Sequence, residues 1–120
     1  MKKVVIKIGT AVLTDKDGNL DEGVMQGLVK QICGMLDSEI LVLVVSSGAI
    51  GAGMGLLKIK KRPQNLAELQ SMASIGQTHL MNVYNKYFSS GGRLTGQILL
   101  TQDDFDNRVR YLNIKYTINT

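Results

Sequence analysis

The sequence predicts an α/β domain with a mainly parallel sheet, and three features of its 120 residues support that prediction. Two short apolar runs, Val4–Ile8 and Ile40–Val45, have the β-branched composition of strands that are buried on both faces. Between them, apolar residues recur at helical spacing. Parallel strands need a crossover of this kind, so the order strand, helix, strand is typical of an α/β unit.

The crossover helix follows a polar turn at residues 15–19, and its first turn is expected to hold Asp21 and Glu22. Its predicted buried stripe consists of Val24, Leu28, Ile32 and Leu36, widened by Met25 and Met35.

The second half of the chain begins with a glycine-rich segment at residues 48–55 and a loop at residues 58–64. A long helix is predicted from the N-cap Asn65 to the glycines at 91–92. Leu94–Leu100 is predicted to be a third strand and Asp103–Tyr116 another helix. The sequence stops at Thr120 within that helical stretch, so we expect a truncated domain.

Composition excludes several classes of protein. Hydrophobic residues make up 44% and charged residues 20%, as in soluble globular chains, and no apolar run approaches the ~18 residues that span a bilayer. No signal peptide is evident, so we expect a cytoplasmic protein with no membrane partner. The lone Cys33, interpreted as a core residue on a helix, and the single His79 give neither a disulfide nor a metal-ligand set.

The formal net charge of +4 is compatible with a nucleic acid or with a small anionic ligand. The only basic cluster, Lys58 to Arg62, has no aromatic residues interleaved with it for base stacking. We therefore interpret it as a solvated loop and expect no nucleic-acid partner.

Candidate functional residues follow the two strands, because ligands of open α/β sheets bind outside the carboxyl ends of strands. Lys7 is the unusual residue, since a charge in an apolar strand must reach water, an ion partner or a ligand such as phosphate. Ser46 and Ser47 are either loop hydroxyls or helix caps, or they donate hydrogen bonds to a substrate carboxylate. Asp103 and Asp104 are interpreted as the acidic first turn of a helix.

Known nucleotide motifs are absent. The sequence contains neither the P-loop pattern G-x-x-x-x-G-K-[ST] nor G-x-G-x-x-G after the first strand. From the residues alone, the prediction is an α/β domain that binds a small anion.

The same segments resemble the glutamate 5-kinase family of the amino acid kinase superfamily in chain order over nearly the whole sequence. The matching stretches are Lys7–Thr10, Val12–Thr14, Val45–Ile50, Ala52–Gly53, Gln70, Ala73, Gly76–Gln77, Leu80–Met81, Tyr84, Gln97–Thr101, Asp104, Arg108, Arg110–Asn113 and Thr117. Sibling kinases for aspartate, acetylglutamate, carbamate or uridylate resemble only the first strand and its loop. One departure is Ala11, where the family often has a second hydroxyl residue.

The resemblance implies a three-layer α/β/α sandwich, with residues 1–120 forming the amino-terminal, amino-acid-binding part and the ATP-binding half lying beyond them. By the same resemblance, Lys7 would act in catalysis. The residues expected to bind ATP phosphates are Lys7, Gly9 and Thr10. Those expected to bind the substrate are Ser47, Gly48 and Ala49.

The implied activity is phosphorylation of the L-glutamate side-chain carboxylate by ATP with Mg²⁺, the first step of proline biosynthesis. The resemblance also implies homo-oligomers and feedback inhibition by proline. Because the rest of the ATP site would lie beyond residue 120, we expect this segment alone to be inactive. Two alternatives stay open: a sibling kinase with another acceptor, and a non-catalytic α/β domain for small-molecule sensing or assembly, which would not need Lys7.

Overall fold

The computed structural model describes residues 1–120 and contains two strands and six helices. In chain order they are β1 (Lys3–Ile8), α1 (Thr10–Leu13), α2 (Glu22–Asp37), β2 (Leu41–Ser46), α3 (Ala49–Leu57), α4 (Leu66–Ser90), α5 (Gln102–Asp106) and α6 (Arg108–Asn119). Both predicted strands lie within one residue of their expected bounds.

The sheet consists of β1 and β2 paired in parallel, with Lys3 opposite Leu41 and Ile8 opposite Ser46. This confirms the predicted α/β class with a parallel sheet. Burial of the strands on both faces was a wrong prediction. Ile8 is buried, but Val5 and Val45, on the opposite face, are 65% and 47% exposed. Helices cover only one face of this sheet, so side chains alternate between the core and solvent.

Helix α2 begins at Glu22, which lies in its first turn as predicted, whereas Asp21 is the N-cap and not part of that turn. The Asp21 carboxylate accepts a hydrogen bond from the backbone N–H of Val24 at 3.1 Å. Its buried residues are Met25, Val29 and Ile32, whereas Val24 is 38% exposed. Met25 and Ile32 belong to the predicted stripe, and its members Leu28 and Leu36 pack against the core, whereas Val29 was not predicted. Apolar residues occur on both sides of this stripe, and only packing selects among them.

The glycine-rich segment forms helix α3, which sequence reasoning did not predict because glycine is a poor helix former. A Cβ at Gly53 would lie 2.1 Å from the carbonyl oxygen of Met72 in α4. A Cβ at Gly76 of α4 would lie 1.7 Å from the carbonyl oxygen of Ala49. These glycines allow the two helix backbones to touch. Packing against α4 therefore stabilises α3, and it compensates for the low helix propensity of its glycines.

Helix α4 begins at the predicted N-cap, where the Asn65 side chain accepts from the backbone N–H groups of Ala67 and Glu68 at 2.8 and 3.3 Å. One core cluster lies between α2, α4 and the covered face of the sheet. Its buried members are Ile8, Leu13, Leu20, Met25, Val29, Ile32, Ala52, Leu80, Val83, Tyr84 and Phe88. Cys33 packs against this cluster and is partly buried, close to its predicted setting.

The third strand predicted at Leu94–Leu100 is wrong, because this segment is largely exposed and has no regular secondary structure. Residues 94–100 take part in no backbone–backbone hydrogen bond, and a strand requires a partner strand as well as a suitable composition.

The helix predicted at Asp103–Tyr116 is two helices, α5 and α6, which meet at Asn107. The Asn107 side chain caps α6 by accepting from the backbone N–H of Arg110 at 3.1 Å. Asp103 and Asp104 do lie in the first turn of α5, as predicted.

None of the helices combines the length and the apolar character needed to cross a bilayer.

Because β1 and β2 are the only strands, each has an unpaired edge. Unpaired edges and apolar faces promote association, so we expect the isolated 120-residue chain to self-associate rather than form a stable monomer. Size-exclusion chromatography with light scattering would give its mass, and near-UV circular dichroism would report its packing. A monodisperse monomer that melts cooperatively would contradict this expectation.

Candidate functional site

The carboxyl ends of β1 and β2 lie side by side, since Lys7 pairs with Val45 and Ile8 with Ser46. Each strand leads directly into a helix, β1 through Gly9 into α1 and β2 through Ser47 and Gly48 into α3. The parallel register therefore brings the two predicted residue groups, which lie about 40 positions apart in the sequence, to one edge of the sheet. This is the edge at which open α/β sheets bind their ligands.

Hydrogen bonds join the two strand ends. The Ser47 backbone N–H donates to the carbonyl oxygen of Ile8 at 3.0 Å, and the Ser47 hydroxyl donates to the same oxygen at 3.3 Å. The Thr10 hydroxyl donates to Ser47 Oγ at 3.2 Å. Thr10, expected on the phosphate side, thus touches Ser47, expected on the amino-acid side. Sequence reasoning predicted both residues but not the bond between them.

Gly48 has a backbone φ of +114°, a conformation that residues with a side chain rarely adopt. A Cβ at this position would also lie 3.4 Å from Leu13 Cδ1. Gly48 is the N-cap of α3, and no side chain caps that helix. The first backbone N–H groups of α3, starting with that of Ala49, therefore have no intrahelical acceptor and form a potential donor set for an anion.

Tyr84 of α4 supports the second strand end from beneath. Its phenol oxygen lies 2.8 Å from Ser46 Oγ, and the Ser46 hydroxyl lies 2.9 Å from the carbonyl oxygen of Ser47. Burial raises the pKa of the Tyr84 phenol, and the hydrogen bond with Ser46 opposes that shift. The sequence identified Tyr84 as one of the residues that resemble the family, and predicted no contact for it. The available signal was that a buried tyrosine hydroxyl usually needs a hydrogen-bond partner.

Lys7 is exposed and takes part in none of the ion pairs of the chain. Lys7 projects from the uncovered face of the sheet, so its ammonium group reaches water, one of the alternatives left open by the sequence, and has no ion partner. Its charge therefore needs no ion partner in the fold, and it is available to a ligand at the carboxyl edge.

The chain has no group of three His, Cys, Asp or Glu side chains that could hold a metal ion. Thr10 and Ser47 offer hydroxyls, whereas Mg²⁺ in proteins is held by carboxylates together with substrate phosphates and water. The residues present do not make a Mg²⁺ site, and we assign no chemical step to that ion from this segment.

Comparison with known proteins gives a consistent result over the whole chain. Residues 2–120 match the model of the amino acid kinase family. The chain is similar to proteins named glutamate 5-kinase, with 46% identity over 117 residues in Thermoanaerobacter sp. strain X514, covering 98% of this chain and 32% of that relative. Identity is 44% over 117 residues in Caldanaerobacter subterraneus, again covering 98% and 32%.

A relative from Clostridium acetobutylicum, also named glutamate 5-kinase, is 40% identical over 119 residues, which cover 99% of this chain and 45% of that protein. The chain thus spans between about a third and under half of the length of these relatives.

Proposed function

The chain belongs to the amino acid kinase family, and from that premise we propose that it is the amino-terminal part of a glutamate 5-kinase. The proposed reaction transfers the γ-phosphoryl group of ATP to the side-chain carboxylate of L-glutamate. The observation that carries the proposal is the hydrogen-bonded junction of Thr10 with Ser47 at the carboxyl edge of the sheet. The names of the relatives support the choice of substrate.

We assign the end of β1 to the phosphates and the end of β2 to glutamate. Lys7 would supply a positive charge, and Gly9 would let the backbone approach phosphate oxygens closely. Ser47, Gly48 and Ala49 would bind the amino acid through a hydroxyl and the uncapped N–H groups of α3. The 3.2 Å contact between Thr10 and Ser47 supports this assignment, because the reacting groups must meet between the two sides.

The hydroxyl of Ser47 can change partners at small energetic cost. Its present bond to the carbonyl oxygen of Ile8 is long, at 3.3 Å, and the Ser47 backbone N–H already satisfies that oxygen at 3.0 Å. A bound carboxylate could therefore accept the hydrogen bond from the Ser47 hydroxyl without leaving the carbonyl oxygen of Ile8 unsatisfied.

No general base is required for the proposed transfer, because a carboxylate is already ionised and nucleophilic at neutral pH. The difficulty is to bring two anions together and to hold the charge that spreads over the transferred group. Lys7 and the backbone N–H donors would hold that charge, and the fixed separation of the two strand ends would align the reactants. ATP is a co-substrate in this proposal, and Mg²⁺, homo-oligomers and inhibition by proline are further expectations from the family.

We expect the full-length enzyme to prefer L-glutamate over L-aspartate by at least about 10-fold in kcat/KM, since aspartate is one methylene shorter and its carboxylate would fall short of the phosphoryl group. Steady-state kinetics with both amino acids would measure this ratio.

Ser47→Ala should raise the KM for glutamate more than it lowers kcat, because it removes a proposed contact to the bound amino acid.

Comparable kcat/KM values for glutamate and aspartate would indicate a sibling kinase. Absence of phosphoryl transfer to any acceptor, in a folded full-length protein, would favour the non-catalytic α/β domain.

A further inference from the structure

A second concave surface lies next to the carboxyl edge, between the polar turn at residues 15–19 and the loop that follows α3. It encloses a cavity of about 740 Å³. Thr10 contributes to its lining, but Lys7, Gly9, Ser47, Gly48 and Ala49 do not. The cavity is therefore adjacent to the proposed catalytic edge and built from different residues.

Four cationic residues line this cavity, namely Lys16, Lys58, Lys60 and Arg62, and Asp17 is the only acidic residue in the lining. None of the four cations takes part in an ion pair, because the three ion pairs of the chain are formed by Lys86, Arg93 and Arg110. Like charges gathered around a concave surface repel one another and attract anions. The lining thus has an excess positive charge, and none of its cations is neutralised by an ion pair.

Hydrogen bonds fix the backbone of the turn at residues 15–19, which carries Lys16. Asp15 Oδ1 accepts from the N–H groups of Asp17 and Asn19 at 2.9 and 3.0 Å, and the Asp15 N–H donates to the carbonyl oxygen of Asn19 at 2.8 Å. A Cβ at Gly55 of α3 would lie only 2.6 Å from the carbonyl oxygen of Gly18, so the turn packs directly on the helix.

The loop that follows α3 forms the other wall of the cavity, and its backbone is fixed at Lys58. This residue is the C-cap of α3 with φ of +56°, and its N–H donates to the carbonyl oxygen of Gly55 at 3.2 Å. Lys16 and Lys58 therefore extend from two backbone segments that contact each other. Such preorganisation reduces the entropy lost on binding.

The cavity volume is within the range of roughly 300–1,000 Å³ that is usual for small-molecule sites and exceeds what a bare phosphate ion would fill. Only Met54 and Ile59 add apolar surface, and no aromatic side chain is present for base stacking. We propose that this cavity binds a small organic polyanion, carrying either phosphate groups or several carboxylates, as a site distinct from the catalytic edge. This extends the proposed function, and the basic cluster interpreted above as a solvated loop becomes one wall of a binding site.

Isothermal titration calorimetry on the full-length protein would test the proposal, with inorganic pyrophosphate as the phosphate probe and citrate as the carboxylate probe. The test variant is Lys58→Gln/Lys60→Gln. The matched control, Lys30→Gln/Lys115→Gln, removes the same charge from exposed positions on α2 and α6. A Lys7→Met variant separates binding at the cavity from binding at the catalytic edge.

We expect at least one probe to bind the wild type and the Lys7→Met variant with similar Kd, and its Kd to weaken with added salt. In the cavity variant the Kd should rise about 10-fold or more, the change expected from losing charged contacts to a ligand. The control variant should change it by less than about threefold, as for exposed charges elsewhere.

An equal loss of affinity in the Lys30→Gln/Lys115→Gln control would show that only the net charge of the protein matters, and it would overturn the proposal. Loss in Lys7→Met alone would assign the anion to the catalytic edge, and absence of binding by both probes to the wild type would also refute the cavity site. Because the readout is binding, these outcomes are independent of whether the protein phosphorylates glutamate.

Discussion

Replacing Lys7 with methionine in the full-length enzyme is expected to lower kcat by roughly 10²–10³-fold, as for the loss of other preorganised donors to a transition state. Lys7 is exposed on the uncovered face of the sheet and lies outside the ion pairs of the chain. Folding therefore does not depend on its charge, and the loss should appear in catalysis. Since the proposed contact is to the phosphates, kcat should fall more than the KM for glutamate changes.

Two further variants sharpen this test. Lys7→Arg should recover only part of the activity, because a planar guanidinium presents its charge differently. Lys3→Met is the matched control, since Lys3 lies on the same strand and the same face but at the opposite end, where its Nζ donates to Asn119 Oδ1 at 2.9 Å. We expect Lys3→Met to leave kcat unchanged. A Lys7→Met enzyme within a factor of about three of wild type, far from the donor-loss range, would assign Lys7 to a solvated strand end.

Gly76→Ala is expected to destabilise the protein by about 3 kcal/mol, at the upper end of the usual effect of overpacking. The added Cβ would lie 1.7 Å from the carbonyl oxygen of Ala49 and 2.4 Å from the backbone nitrogen of Gly53. Both atoms belong to the backbone of α3 and cannot move aside by rotating a side chain, so α3 must move away from α4. Because Ala49 lies in the proposed glutamate site, the KM for glutamate should rise in any variant molecules that remain folded.

Gly27→Ala is the matched control, because Gly27 lies within α2 and a Cβ there would meet no atom within 4 Å. This substitution should stabilise the protein by about 0.5–1 kcal/mol through helix propensity alone. Denaturant unfolding of the three proteins would give the two free-energy differences. A Gly76→Ala protein as stable as wild type would show that the contact between α3 and α4 can relax, and that the glycine is not required for it.

Local patterns in the sequence were sufficient for the features that depend on local interactions. The two strands follow from their β-branched runs, and Asn65 caps α4 as predicted because it carries a short polar side chain next to an apolar helical repeat. The residues proposed for the site were likewise found from the glycine and hydroxyl groups at the ends of both strands. Their assigned roles came from the family resemblance and stay predictions.

Features that depend on a distant partner required the folded chain. Leu94–Leu100 has the composition of a strand but no neighbouring strand to pair with. Helix α3 is rich in glycine and is nevertheless helical, because its backbone packs directly against α4 at Gly53. The exposure of Lys7, the bond between Thr10 and Ser47, and the support of Ser46 by Tyr84 likewise depend on which faces and strand ends meet. Propensity acts over a few residues, but burial and pairing are decided by contacts between segments that lie far apart in the sequence.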